Sequence, residues 1–258
     1  MNLHRRSFVA LMTSVMAGSM LAACGQGGSD QGGSQAKVIR VAVSPASPPN
    51  LFEENGETKG LDLDLFRAYC ESRKCELQIT SYDWQGMLGA VVSGKADVAF
   101  SAISITEPRS KMMDFSKSYM ENTWNLVSLQ SRNIKFDDLA ELKKYRIGYP
   151  RGMAYSEYIR DELEPKGLYS LDKVKLYPSY NEVMTDLQNG QIDLAFLDGP
   201  VASVYRKKMP VQDSYVLTGR DRFGFAFPKG SPLREDFDRF LDELGEPARQ
   251  KIISRWMD

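Results

Sequence analysis

The sequence predicts an α/β protein with a mostly parallel sheet, and three observations carry that expectation. From residue 37 onward, short β-branched runs alternate with longer stretches of helical periodicity. The order strand-helix-strand-helix-strand is met twice, in residues 38–101 and again in residues 145–197. One phrase also recurs. "SGKADVAF" (93–100) and "NGQIDLAF" (189–196) keep Gly, Asp, Ala and Phe at the same four places, 96 residues apart.

Taken in order, "VIRVAVS" (38–44) is a strand by its β-branched residues, and "LDLDLFRAYCESR" (61–73) suits a helix. "ELQITSY" (76–82) is a strand, "WQGMLGAVVSG" (84–94) a helix ended by Gly94, and "DVAFS" (97–101) a strand. The second series begins after "WNLVSLQ" (124–130). "YRIGYP" (145–150) is its first strand and "AYSEYIRDELEP" (154–165) its first helix. "KVKLYP" (173–178), "NEVMTDLQNG" (181–190) and "IDLAFL" (192–197) complete it as strand, helix and strand.

The repeated phrase is therefore the helix-to-strand step that opens the third strand of each unit. Gly94 and Gly190 stop the helices, Asp97 and Asp193 stand at the strand entrances, and Val98-Ala99-Phe100 and Leu194-Ala195-Phe196 are core. Those residues build structure.

Function is expected just after them, because ligands of parallel α/β sheets sit beyond the carboxyl ends of the strands. There the two copies diverge. "SAISITEPR" (101–109) ends in a cation, Arg109, and "LDG" (197–199) holds an anion, Asp198. Read singly, Arg109 is a surface charge on a first helical turn and Asp198 an N-cap before Gly199-Pro200. Read together, they line a shared cleft that suits a ligand carrying both charges.

The N-terminus stands apart from this pattern. Residues 1–23 have a basic start, an apolar stretch from Ser7 to Ala23 and small residues before Cys24, the three parts of a signal peptide. The stretch is too short and too rich in Ala and Ser for a membrane span. "LAAC" resembles a bacterial lipobox, which makes Cys24 the lipidated N-terminus of the exported protein. "RRSFV" looks like a twin-arginine motif, but His4 stands where Ser or Thr is usual, and two arginines are ordinary in a basic leader. Residues 24–36, the cysteine and "GQGGSDQGGSQA", form a flexible tether. About 220 residues remain for the fold, enough for two modest domains or one large one.

Export removes Arg5 and Arg6 and no acid, which takes the net charge from −1 to −3. That balance, with no basic-aromatic stripe, excludes a nucleic-acid partner. It also removes His4, the single histidine. The mature chain has none for a catalytic triad, a Cys-His pair or a histidine metal site, and no metal or cofactor is expected. Cys70 and Cys75 then read as a structural disulfide, since the compartment is oxidising and no other soft ligand is present.

At this point the chain resembles the extracellular solute-binding proteins of polar amino-acid ABC transporters, bacterial family 3. The resemblance is carried by "GLDLDLFRAY" (60–69), "YDWQGMLGAVVSGKADVAFSAISITEPRSKMMDFSKSYM" (82–120), "NEVMTDLQNGQIDLAFLDGPVA" (181–202) and "FGFAFPKGSPL" (223–233). It implies the two-lobed type II periplasmic binding protein fold, with the ligand cleft between lobes that close by a hinge. Lobe 1 would be residues 37–121 with 222–258, and lobe 2 the inserted residues 122–221.

The resemblance also assigns roles. Arg109 would bind the α-carboxylate of an amino acid, for which a guanidinium offers a planar fork, and Asp198 its α-ammonium. Ser101 and Ser104 match positions of hydroxyl or backbone contact, Ala102 one of backbone contact, and Trp84 one that packs on the ligand side chain. The chain departs from the family pattern at two walls of the cleft. Ser47 and Asn50 stand where aromatics are frequent, and Gly152-Met153-Ala154 replaces a hydroxyl-bearing loop. Arg151 and Tyr155 flank that loop and are expected near the side-chain pocket. With Ser44 where binders of cationic ligands carry an acid, a neutral ligand is expected, and Arg151 leaves an acidic one open.

These implications describe a monomeric, lipid-anchored, exported receptor that hands an amino acid to a membrane permease, and not an enzyme. Two alternatives share the fold: a cyclohexadienyl-dehydratase-like enzyme and a ligand-binding sensor. The enzyme needs a positioned general acid, and without histidine only a carboxylic acid, Lys or Tyr could serve.

Overall fold

A computed structural model describes residues 36–257; the leader, Cys24 and most of the tether lie outside the described residues. Among those described, no helix is long and apolar enough to cross a membrane.

The chain begins with β1 (Lys37–Val43), then β2 (Ala46–Ser47), β3 (Leu51–Glu54) and β4 (Glu57–Lys59), a small antiparallel sheet. Next come α1 (Leu61–Arg73), β5 (Cys75–Ser81), α2 (Trp84–Val92) and β6 (Val98–Phe100), followed by α3 (Glu107–Met112) and β7 (Asp114–Phe115). A long strand, β8 (Met120–Leu129), leads into β9 (Ile147–Pro150), α4 (Tyr155–Tyr158), a turn of π-helix (Ile159–Leu163), β10 (Val174–Tyr177) and α5 (Tyr180–Gln188). The chain ends with β11 (Leu194–Asp198), α6 (Gly199–Lys208), β12 (Val211–Phe223), β13 (Ala226–Phe227) and α7 (Pro232–Met257). The helix expected over 61–73 and the two strand-helix series stand where the periodicity put them.

Two five-stranded sheets organise two lobes. The first runs in the order β5-β1-β6-β13-β7 and the second in the order β10-β9-β11-β8-β12. Each sheet is mostly parallel, as the sequence led one to expect, with one reversed strand. Three neighbouring strands pair in parallel, β13 or β8 runs against them, and the outer β7 or β12, antiparallel to that strand, points the same way as the first three. In the second sheet the reversed strand comes from the path of the chain between the sheets. β8 and β12 pair from Leu129↔Val211 to Met120↔Phe223, so the segment that leaves the first sheet and the segment that comes back lie side by side. Their shared end touches the first lobe, where Ser104 bridges to Phe223.

The repeated phrase folds twice in the same way. Asp97 accepts from the backbone N–H and the guanidinium of Arg40 on β1, and Asp193 accepts from the same groups of Arg146 before β9. Each aspartate thus ties the entrance of the third strand to the first, at the middle of β1 in one unit and just before β9 in the other. Gly94 and Gly190, at φ 70° and 68°, make the left-handed turn that a side chain would strain.

The first lobe's core centres on Phe66, with Tyr69, Phe100, Phe225 and Phe237 packed around it at 5.1–5.7 Å between rings. α7 closes this core against α1, and the Cys70–Cys75 disulfide joins the end of α1 to β5, as the cysteine reading expected. The second core is tyrosine-rich: Tyr149, Tyr155 and Tyr180 are fully buried, and Tyr155 stacks on Phe196 at 4.3 Å.

Candidate functional site

Arg109 sits on α3, whose N-cap Thr106 and Pro108 start the helix just beyond β6. It is not a surface charge: only 5% of it is exposed. Its Nη1 donates to the Ser104 carbonyl and its Nη2 to the Gly152 carbonyl, both at 2.8 Å. Its guanidinium lies 5.5 Å from the centre of the Trp84 ring. Burial lowers its pKa, and the charges of Glu157, Asp221 and Asp198 oppose that shift. Two of its five N–H donors are committed to carbonyls, and three remain for a ligand.

Gly152 is the point where the second lobe meets this group. Its carbonyl accepts from Arg109 and, at 3.1 Å, from Trp84 Nε1. Its φ is 79°, and a Cβ there would come within 2.6 Å of Gln85 Nε2 and 2.8 Å of Trp84 Cδ1. Only glycine permits that approach.

Asp198 ends β11 and precedes α6, but its side chain does not cap that helix. Asn122 does so instead: its Oδ1 accepts from the Gly199 N–H at 3.2 Å. The freed carboxylate is 4% exposed. Its Oδ1 accepts from Asn122 Nδ2 and the Tyr155 hydroxyl, each at 2.8 Å, and its Oδ2 from the Tyr180 hydroxyl at 2.9 Å. Burial, and then the charge of Asp221, push its pKa up to about 7.

Asp221 was not read from the sequence. It lies in "GRDRF" among charged residues, a pattern of a solvated strand, and no periodic signal marks it. Yet it is 5% exposed. Its Oδ2 accepts from Ser104 Oγ, Asn122 Nδ2 and Trp124 Nε1 at 2.7–2.9 Å, and its Oδ1 from the Arg222 N–H. Burial raises its pKa as well. The antiparallel pairing of β8 with β12 brings Asn122 opposite Asp221, a pairing that a separation of 99 in the sequence conceals.

The structure redirects several of the expected contacts. The Ala102 N–H is taken by Asp62 Oδ2 at 2.7 Å, which holds Ala102 at φ 52°, so this backbone group is a loop anchor and is not offered to a ligand. The Ser101 hydroxyl donates to the Ser44 carbonyl at 2.5 Å. The Ser104 hydroxyl is spent on Asp221. Tyr155 lies behind Asp198 and positions it, away from any side-chain pocket, while Arg151 is exposed outside the buried cluster. Met153 and Ala154 are buried in the cleft loop, and the Met153 sulfur contacts the Tyr180 hydroxyl. Trp84 is buried under Arg109. Ser47 and Asn50 are buried, and Asn50 Nδ2 reaches Asp62.

Beside Asp221 opens a cavity of about 160 Å³. Four carboxylates line it, those of Glu157, Asp161, Glu162 and Asp221, against one guanidinium, Arg220, which is itself paired with Glu162. The rings of Trp124 and Tyr158 form apolar wall. Such a lining suits a cation with an apolar stem.

The sequence model described as bacterial extracellular solute-binding proteins, family 3, matches residues 39–258. The chain is similar to ABC transporter arginine-binding protein 1 of Escherichia coli K12, 29% identical over 236 residues that cover 87% of this chain and 93% of that protein. In fold it is similar to an ancestral arginine-binding protein bound to arginine, with TM-score 0.77, 28% identity and coverage of 86% and 98% of the two chains. The structure of an ancestral arginine-binding protein bound to glutamine matches with TM-score 0.76 at the same identity and coverage.

Proposed function

Since the chain belongs to the bacterial extracellular solute-binding proteins of family 3, we propose that it is the substrate-binding component of an ABC importer. It takes a free amino acid between its lobes and delivers it to the permease subunits. The exported protein is a monomer tethered to a membrane by lipid on Cys24. Lobe 1 comprises residues 37–121 and 222–258, lobe 2 residues 122–221, and the crossing segments are β8 and β12. The membership of the two sheets supports that division.

The observation that carries the reading is a pair of buried, oppositely charged groups contributed by different sheets. Arg109 keeps three donors for an α-carboxylate, and Asp198 keeps acceptor capacity on Oδ2 for an α-ammonium. Each has lost water, and neither forms an ion pair with the other, so a zwitterion would complete both.

For the side chain, the acidic cavity beside Asp221 favours a cation such as that of arginine or lysine over the neutral group expected from Ser44 and Ser47. The relatives named for arginine support the same choice. A neutral amino acid is the second reading, supported by the ancestral protein bound to glutamine. The dehydratase reading retains one supporting observation, a carboxyl of pKa about 7 that could serve as general acid. Incubation with prephenate and arogenate tests it.

A thermal-shift panel of the twenty amino acids tests the main reading. A ligand at a hundred times its Kd adds about 2.7 kcal/mol, which for a chain of this size raises Tm by roughly 5–11 °C. Arginine or lysine should give the largest shift. A panel with no shift at all would overturn the proposed function.

A further inference from the structure

We propose that Asp221 is the second carboxylate of the ammonium anchor, so that Asp198 and Asp221 hold one proton between them and release it to solvent when a ligand's ammonium docks. This rests on the amino-acid-binding reading of the same cleft. The geometry is that of a shared donor. Asn122 Nδ2 donates one hydrogen to Asp198 Oδ1 at 2.8 Å and the other to Asp221 Oδ2 at 2.7 Å. The two carboxylate oxygens are thus no further apart than those two bonds laid end to end. Both residues are nearly sealed from water, which leaves little to screen one charge from the other.

Two like charges so placed are not both ionised without a compensating cation. The surroundings do not supply one by direct contact. Asp198 meets only neutral donors, from Asn122 on β8, Tyr155 on α4 and Tyr180 on α5. Asp221 meets Ser104, Asn122, Trp124 and a backbone N–H. Of the charged groups that act across the cluster, Arg109 on α3 spends its bonded donors on carbonyls, and Glu157 on α4 adds negative charge. Arg220 on β12, which shares a cavity with Asp221, is paired with Glu162, and Asp161 in the same lining is paired with Arg160. On the lobe 1 side, Tyr119 faces the cluster with its hydroxyl given to Asp62. The raised pKa of both aspartates, due first to burial, agrees with a retained proton.

A docked ammonium changes this balance. It brings a positive charge against Asp198, the O–H of the pair ionises, and the proton leaves to bulk water with no other bond made or broken. Recognition of the ligand's ammonium is then linked to pH through Asp221, which also lines the cavity proposed for the side chain.

Two measurements on the exported protein decide the matter. Carbon-13 NMR of the aspartate carboxyls, without ligand, should show one group beyond Asp62 titrating near pH 7; Asp62→Asn identifies the Asp62 signal. In Asp221→Asn that titration should fall by at least one pH unit, to below about pH 6, since the like charge is gone. Calorimetry with L-arginine and L-glutamine, in buffers of different ionisation enthalpy, should find about half a proton released per ligand at pH 7, as half-occupancy at the pKa requires. Release should fall as pH rises from about 7 towards 8, below the range where the ligand's own amine titrates, and be nearly absent at pH 7 in Asp221→Asn. A wild type with no second aspartate titrating above about pH 6, or an Asp221→Asn variant with unchanged release, overturns the proposal. If neither probe binds while the pair still titrates near neutrality, the shared proton stands and the binding reading is what has failed.

Discussion

The Arg109 guanidinium donates to the Gly152 carbonyl at 2.8 Å, so the cation at the end of the first repeat is held by the loop between β9 and α4. Trp84 donates to the same oxygen. In the proposed function, recognition and closure of the cleft would therefore share one backbone atom, and this contact can be broken without touching a charge.

Gly152→Val is the variant that does so. The new side chain meets Trp84 and Gln85, and a β-branched residue is strained at φ 79°. The expected outcome is a folded protein, by circular dichroism, that binds its amino acid at least tenfold more weakly. Small-angle scattering should show a more open average shape with ligand present. Unchanged affinity would mean that Gly152 does not seat the two lobes together.

The charged pair makes a quantitative demand. Removing one partner of a buried ionic contact costs ~3–5 kcal/mol, because the other charge is left stranded. Arg109→Ala and Asp198→Ala should each weaken binding by roughly a hundredfold to several thousandfold. A ligand analogue without its amine should lose most of its affinity for the wild type and far less for Asp198→Ala, since both changes delete one contact. Calorimetry over the four combinations measures the coupling. An alanine variant within tenfold of wild type would rule out this clamp.

Stability should depend on acid in a direction set by Asp62. This carboxyl is fully buried, and burial pushes its pKa up to about 6 against its bonds from Tyr119, Ala102 and Asn50. The folded protein therefore holds a proton that the unfolded chain gives up near pH 4. The stabilisation is complete below about pH 4 and is lost as pH rises through about 6, a change of up to ~3 kcal/mol. Denaturant melts of wild type and Asp62→Asn between about pH 4 and 7 should differ in slope, the variant lacking this fall. Parallel curves would show that Asp62 does not titrate there.

The disulfide should be complete in exported protein. Cys70 and Cys75 close a short loop between α1 and β5, so the bridge should contribute at the low end of ~2–4 kcal/mol. Alkylation without reduction should leave both cysteines unmodified by mass spectrometry, and Cys70→Ser with Cys75→Ser should lower Tm by a few degrees. Two alkylated thiols in unreduced protein would contradict the bridge.

The sequence by itself determined the local architecture. β-Branched runs, helical periodicity and the stops at Gly94 and Gly190 are properties of neighbours in the chain, and α1, β6, β9 and β11 lie where those neighbours put them. The repeated aspartates each found an arginine, Asp97 with Arg40 and Asp193 with Arg146, but across spans of 57 and 47 residues, so strand pairing and not a shared offset made those ion pairs. Arg109 and Asp198 were legible as opposite charges at equivalent places after equivalent strands. The tertiary structure decided what those charges meet. Asp221 became part of the site only when β12 returned beside β8 and buried a residue whose sequence neighbours are charged and exposed. Ala102, Ser101 and Tyr155 gained protein partners that no local pattern announces, because a buried donor takes the acceptor the fold brings to it, here Asp62, Ser44 and Asp198. Periodicity records which face of an element is covered. It carries no information on which buried polar groups, far apart in the chain, must satisfy one another.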